Sequence, residues 1–325
     1  MKIAAVVGLG NIAKRHRANI KSKFPDCRVI AMSSSGRVVP EKTQNADVFV
    51  SSIEELIECK PEFVVIASPA TYHEHHAVPI IQQSIPVLIE KPLSHCSLSA
   101  EGILNAAVES SSIVVVGYCL RFLPSTQVVK ELLLYGKIGK LYNVYAEVGQ
   151  YLPDWRPNTP VNETVSANKD LGGGALLELS HEFDYLSYLL GSKAKFEHAV
   201  LRKSAELGLD VEDLVDVVFS LDDGPICNLH MDFLQKSPQR FCRLIGSEGR
   251  IEWDLIANKV VSYTADGECV EYNSPSWDKN QMYLSLIDSV VAKNPLPEVS
   301  PATLQEAKCV VDFIEEIKSK AVWSA

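Results

Sequence analysis

No stretch of the 325 residues is apolar for long enough to cross a bilayer: the longest runs are FVVIA at 63–67 and IVVV at 113–116, against the roughly 20 residues a membrane helix needs. An excess of positive charge is missing too. With 31 lysines and arginines against 41 acids, the formal net charge is -10 and the pI about 5.4, a field that works against nonspecific binding to nucleic acid or anionic lipid. The eight cysteines, at 27, 59, 96, 119, 227, 242, 269 and 309, include no C-x-x-C pair and no zinc-type spacing, which reads as reduced packing thiols in a cytosolic protein. The opening MKIAAVVGLG does not read as a signal peptide, because glycines interrupt it and the basic cluster Lys14, Arg15, His16, Arg17 follows the apolar run. Internal repeats and low-complexity stretches are absent. What these absences leave is small-molecule chemistry in the cytoplasm, with no membrane and no nucleic acid.

The length exceeds what one hydrophobic core usually supports, so two domains are expected. Up to about residue 121, β-branched runs alternate with helical stretches: KIAAVVG, CRVIAM, DVFV, FVVIASP, PVLIEKP and SIVVVGY. Continuous apolar runs bounded by turns are how parallel strands covered on both faces look. The fold class is therefore α/β, with a doubly wound parallel sheet over 1–121. From 122 to 325 the texture changes to alternating segments at 141–151, 213–221, 225–234, 240–246 and 249–255, the pattern of a largely antiparallel sheet in an α+β domain. Helices are expected at 279–293 and 302–319, the second with Leu304, Ala307, Val310, Val311, Ile314 and Ile317 along one face.

In VVGLGNIAKRH, Gly8, Gly10 and Ala13 form G-x-G-x-x-A between a strand and a helix. The first glycine allows the tight turn, the second lets a pyrophosphate approach the backbone, and the third small residue lets helix and strand pack. A dinucleotide site including Asn11 and Ile12 is the reading; a turn that binds nothing is the alternative. An acid should follow the second strand if the cofactor is NAD, but no acid lies between Cys27 and Pro40. Ser33, Ser34, Ser35 and Arg37 stand there instead and suit a phosphate, which favours NADP over NAD.

Ser68, Pro69 and His73 follow the fourth strand and are expected at the ligand-binding edge of the sheet. The run HEHH at 73–76 is not read as a metal site, because adjacent side chains point in different directions. In the second half, DLGGGALLELSHEFDYLSYLLG at 170–191 is read as one helix with Leu179, Phe183, Leu186 and Leu190 on one side and Glu178, His181, Asp184, Tyr185 and Tyr188 on the other. Three glycines at its head allow backbone to crowd a ligand or a strand. His181 then serves as a proton carrier near neutral pH, with Glu178 one turn away to orient it.

Together G-x-G-x-x-A, FVVIASPATYHEHH, EKP at 90–92, RF at 121–122, GKIG at 136–139 and GGG…E…H…D resemble the Gfo/Idh/MocA family of NAD(P)-dependent oxidoreductases over nearly the whole length. The resemblance implies a Rossmann domain, a second α/β domain whose open sheet forms a homodimer or homotetramer interface, and hydride transfer at a sugar, sugar-acid or nucleotide-sugar carbon. It implies that Lys91 binds or protonates the reacting oxygen, that His181 is the acid/base, that Glu90 and Arg121 lie near the cofactor, and that Lys91-Pro92 is cis. A crowded, desolvated amine loses basicity, which suits Lys91 to the task. Trp155, Arg156 and Lys169 fall where relatives line the sugar pocket. The chain departs from the family in reading E-L-S-H where D-x-G-x-H is usual, in Ala70 for an asparagine and in Cys119 ahead of Arg121. A cofactor-binding regulator without turnover and a polyol or dihydrodiol dehydrogenase remain the other readings.

Overall fold

The computed structural model describes residues 1–38, 42–191, 194–221, 224–291 and 299–324. Its contacts divide the chain into a unit made of Met1–Cys119 with Lys279–Val311 and a unit made of Leu120–Asp278 with Asp312–Ala325.

The first unit holds six strands: β1 (Ile3–Val7), β2 (Arg28–Met32), β3 (Val48–Val50), β4 (Phe63–Ile66), β5 (Val87–Ile89) and β6 (Val114–Val116). They form one parallel sheet in the order β3-β2-β1-β4-β5-β6, the doubly wound arrangement. The register is level at the carboxyl ends, with Val7 beside Met32 and Ile66, Ile66 beside Ile89, and Ile89 beside Val116. Four helices connect these strands: α1 (Asn11–Lys23), α2 (Ile53–Glu58), α3 (His73–Gln82) and α4 (Ser97–Ser110). Every residue of β4 and β5 is shut off from solvent, because a parallel sheet is covered on both faces. The helix Gln281–Val291 packs on β5, β6 and α1; the expected end of this helix at 293 lies outside the described residues.

The second unit is built on nine strands: β7 (Leu141–Gly149), β8 (Ala194–Arg202), β9 (Leu214–Leu221), β10 (Ile226–Asp232), β11 (Gln239–Gly246), β12 (Gly249–Asp254), β13 (Lys259–Thr264), β14 (Gly267–Asn273) and β15 (Val322–Ser324). They are ordered β14-β13-β12-β11-β7-β10-β9-β8-β15, antiparallel except for β7 with β10 and β8 with β15. One face is apolar and covered by α5 (Pro124–Leu134), α7 (Ala175–Glu178), α8 (His181–Leu190) and the end of the helix Leu304–Lys320; a short helix, α6 (Leu152–Trp155), follows β7. Trp253 is fully buried there, with Nε1 donating to Ser125 Oγ at 2.8 Å and Tyr185 edge-on at 5.1 Å. Phe183, Phe219 and Phe313 form a second aromatic cluster. The single helix expected over 170–191 is instead two, because the chain leaves helical geometry at Leu179 (φ -100°, ψ 21°) and restarts at His181.

Candidate active site

The glycine loop leaves the carboxyl end of β1. Gly8 has φ +117° and donates its N–H to Met32 O at 2.8 Å, and a Cβ there would stand 2.4 Å from Ala67 O. No other residue fits both demands. Gly10 begins α1 in extended backbone, without a side-chain cap or an acid in the first turn. A Cβ at Gly10 would meet nothing within 4 Å, so the head of a 13-residue helix opens onto space. Ala13 is fully buried against the sheet. Free N–H groups at a helix start, open space beside Gly10 and no competing acid fit the pyrophosphate of a dinucleotide. At the end of β2, Ser33 is buried, Ser34 half-buried, and Ser35 and Arg37 are exposed in a turn closed by Gly36 N donating to Ser33 O. Asn11 is exposed and Ile12 half-buried at the helix head.

Next along the same edge come the loops after β4 and β5. His73 is buried, with Nδ1 3.0 Å from Pro92 O and 3.1 Å from Leu93 O, and Nε2 2.9 Å from Ser68 O. Burial pulls its pKa below the ordinary histidine value, and the carbonyls and Glu90 oppose that pull. His76 meets Ser68 Oγ through Nδ1 at 3.0 Å, and burial together with the neighbouring His75 and His73 lowers its pKa to about 4. The HEHH run thus faces several ways, and no group of three or more potential ligands is placed to hold a metal among the described residues. Pro69 is half-buried in the same loop. Glu90 is buried at the end of β5 and accepts from His16 Nε2 at 2.6 Å and from Lys91 N at 3.3 Å. Lys91 is half-buried, and its bond to Pro92 is cis.

In the second unit Gly173 and Gly174 are crowded by protein. A Cβ on Gly173 would stand 2.5 Å from Val165 O, and one on Gly174, at φ +108°, 2.4 Å from Glu212 Oε1. Glu178 ends α7 and His181 begins α8, both half-buried. Of the residues expected on the polar face beside His181, Asp184 and Tyr185 lie inside the fold, as does the neighbouring Glu182. Glu182 is held by Arg240 in a two-point ion pair at 2.7 and 2.9 Å, and Asp184 accepts from Arg121 Nη2 at 2.7 Å and Nε at 3.0 Å. Tyr185 is also fully buried, which raises its hydroxyl pKa. The Arg121 guanidinium lies 4.7 Å from the Tyr188 ring centre, and Lys130 Nζ 3.8 Å from it. Asp184 and Arg121 thereby anchor the first turn of the helix that carries His181, a polar network in place of an apolar seam. Trp155 is half-buried against Phe233, its Nε1 shut from solvent without a hydrogen-bond partner; Arg156 is half-buried and Lys169 exposed.

Three of the residues described here were not singled out as functional from sequence: His16 and Arg17 in the first unit and Arg240 in the second. Arg17 is buried and donates from Nη1 to Gly8 O at 3.2 Å and from Nε to Gln44 O at 3.1 Å, tying the glycine loop down. For His16 and Arg17 the signal available was the basic run after the glycines, which reads on its own as a surface cluster.

Comparison with known proteins bears on both units. Residues 2–118 match the model of an oxidoreductase family with an NAD-binding Rossmann fold, and residues 126–252 match the GFO/IDH/MocA C-terminal domain. A D-glucoside 3-dehydrogenase of Escherichia coli is 26% identical over 198 residues, 58% of this chain and 54% of that protein. An inositol 2-dehydrogenase of Rubrobacter xylanophilus is 31% identical over 41% of this chain and 40% of its own. The chain thus spans about half or less of these relatives' length. Among solved structures, a variant of KijD10, a 3-ketoreductase from Actinomadura kijaniata in complex with TDP-benzene and NADP, superposes with a TM-score of 0.81 at 18% identity, covering 100% of this chain and 99% of that one. That likeness speaks for the fold alone. With both family models matched in order along the sequence, the chain belongs to the Gfo/Idh/MocA family of oxidoreductases.

Proposed function

We propose that the protein is an NAD(P)-dependent oxidoreductase that moves a hydride between a nicotinamide and a sugar, sugar-acid or nucleotide-sugar carbon. The observation that carries this is the edge of the parallel sheet, where an open glycine loop after β1 and the half-buried Lys91 after β5 stand at level strand ends. Gly8, Gly10, Asn11, Ile12 and Ala13 would hold the pyrophosphate. Ser33, Ser34, Ser35 and Arg37 offer donors and a positive charge without a carboxylate, which supports NADP over NAD.

When bound, the nicotinamide supplies or accepts the hydride. The protein's part is the proton and the charge on oxygen. An ammonium at Lys91 donates a hydrogen bond to the substrate oxygen and stabilises negative charge growing there. His181 gives or takes the proton. On the sugar side, Trp155 offers a ring face, and Arg156 and Lys169 offer charge to an anionic group. We also propose that copies of the chain associate through the open face of the nine-stranded sheet. Ile226, Asn143 and Ile245 stand side by side there, and Tyr145 next to Asn143 along β7; Ile226, Tyr145 and Ile245 are all exposed.

The test is a panel of sugars and keto-sugars, free and nucleotide-linked, incubated with NADPH or NADH while nicotinamide absorbance is followed. Turnover by the wild type that falls about 100-fold or more in Lys91→Ala and in His181→Ala, with cofactor still bound, is expected. Tight cofactor binding with no turnover above the Lys91→Ala control is the outcome for a regulator. Loss of NADPH preference in Arg37→Ala checks the phosphate assignment, and an unchanged preference removes it.

A further inference from the structure

We propose that two buried histidines, His16 and His73, are positioning residues that aim Lys91 by holding the residues on either side of it. The inference rests on the role of Lys91 given above and extends it to two side chains that act through the backbone on either side of it.

His16 comes from α1, in the turn after the glycine loop. Its ring is fully buried; among the described residues Nδ1 has no hydrogen-bond partner, and Nε2–H donates to Glu90 Oε1 at 2.6 Å. The other carboxylate oxygen of Glu90 accepts the N–H of Lys91 at 3.3 Å. Gly117 makes room for that carboxylate, since a Cβ there would stand 2.9 Å from Glu90 Oε2. On the far side His73, at the head of α3, has Nδ1 3.0 Å from Pro92 O and 3.1 Å from Leu93 O and Nε2 2.9 Å from Ser68 O; we assign its ring proton to Nδ1, which has two carbonyl acceptors against one at Nε2. Glu90 is therefore fixed from α1, and Pro92 and Leu93 from α3. Lys91 lies between them.

A lysine needs such a root. Its four-carbon stem is flexible and its ammonium is a point charge without a planar fork to orient it. The direction of its Cα–Cβ bond is one part of its aim, set by the backbone at Glu90, Pro92 and Leu93, and a displacement of about 1 Å at a reacting group costs on the order of 100-fold in rate. The ordinary alternative is that both histidines simply fill the core. The two readings differ at one point of chemistry. The amide nitrogen of an asparagine occupies the place of histidine Nδ1, and that of a glutamine the place of Nε2. His16 works through Nε2 and His73 through Nδ1, so the tolerated substitutions are opposite at the two positions.

The experiment uses the full chain with His16→Gln, His16→Asn, His73→Asn and His73→Gln. Lys91 reactivity is read as the rate of acylation by an N-hydroxysuccinimide ester, quantified on the Lys91 peptide by mass spectrometry. kcat and KM are taken on whichever sugar the wild type turns over, with cofactor affinity and thermal midpoint as folding controls. The expected result is a crossed pattern: His16→Gln and His73→Asn retain Lys91 reactivity and most turnover, while His16→Asn and His73→Gln lose about 10- to 100-fold in kcat with a smaller change in KM. Equal effects of Asn and Gln at both positions overturn the proposal, as does an unaltered kcat in all four. Should the variants not fold, 15N spectra of histidine-labelled wild type decide it: slowly exchanging protons on His16 Nε2 and His73 Nδ1 are required, and absence of either overturns it. Unchanged turnover in Lys91→Ala would instead remove the catalytic role of Lys91, while the crossed labelling pattern would still report whether the histidines hold it.

Discussion

Gly8 is the residue at which backbone geometry and ligand binding meet. Its positive φ and its approach to Ala67 O both forbid a side chain, so Gly8→Ala has to move the loop, at a cost of about 1–3 kcal/mol in local strain. Nicotinamide cofactor titration should show about 10-fold weaker binding or worse, by the same strain, in a protein that still folds; wild-type affinity would mean that the loop is not the phosphate site. Gly8, Gly10 and Ala13 stood out because they sit in a short motif whose spacing carries its own physical reason, whereas Lys91 was singled out through the family resemblance. The hydrogen bonds of His16 and His73 were not legible. Their partners lie 74 and 5–20 positions away, and those of His73 are backbone carbonyls that any sequence supplies. The ring nitrogens of His73, a residue expected at the ligand-binding edge of the sheet, face the loop carbonyls of Ser68, Pro92 and Leu93.

Among the elements, α8 depends most on buried charge. Arg121 and Asp184 are each 1% exposed at the side chain, and removing one partner of such a pair leaves an uncompensated charge, with a cost of about 3–5 kcal/mol. Arg121→Leu should lower the urea midpoint accordingly, and a change under about 1 kcal/mol would show that the pair does not hold the helix. β10 carries a pH-dependent contribution. His230 lies between Asp232 Oδ2 at 2.9 Å and Asp216 Oδ1 at 2.8 Å, and the bond to Asp232, against opposing burial, raises its pKa from 6.5 to about 9. A histidine raised on folding stabilises fully below its unfolded pKa and loses that contribution as pH rises through the folded one. Urea unfolding should therefore show His230→Gln costing more stability at pH 6 than at pH 9.5; equal costs would refute the pairing. The six strands of the first sheet could be read off because burial on both faces makes continuous apolar runs. β8 and β14 escaped notice because much of each is exposed near the sheet's ends, leaving little alternation to see. The break at Leu179–Ser180 was invisible because Glu178 and His181 keep helical spacing in sequence across two helices.

At the scale of the whole molecule, an open sheet face bearing Tyr145, Ile226 and Ile245 is the surface the account assigns to association. Sedimentation velocity should find a dimer or tetramer that Ile226→Arg with Ile245→Arg shifts toward monomer, with cofactor affinity retained; a wild-type monomer would end that assignment. No helix among the described residues is long and apolar enough to cross a membrane. The central claim is hydride transfer managed by Lys91 and His181. It is tested most directly by loading the protein with nicotinamide deuterated at the transferable position and following the label into the sugar panel by mass spectrometry. Deuterium on one sugar carbon is expected with the wild type, and transfer about 100-fold slower or more in Lys91→Ala at undiminished cofactor binding. Bound cofactor with no deuterium in any sugar, or equal transfer by Lys91→Ala, would contradict it.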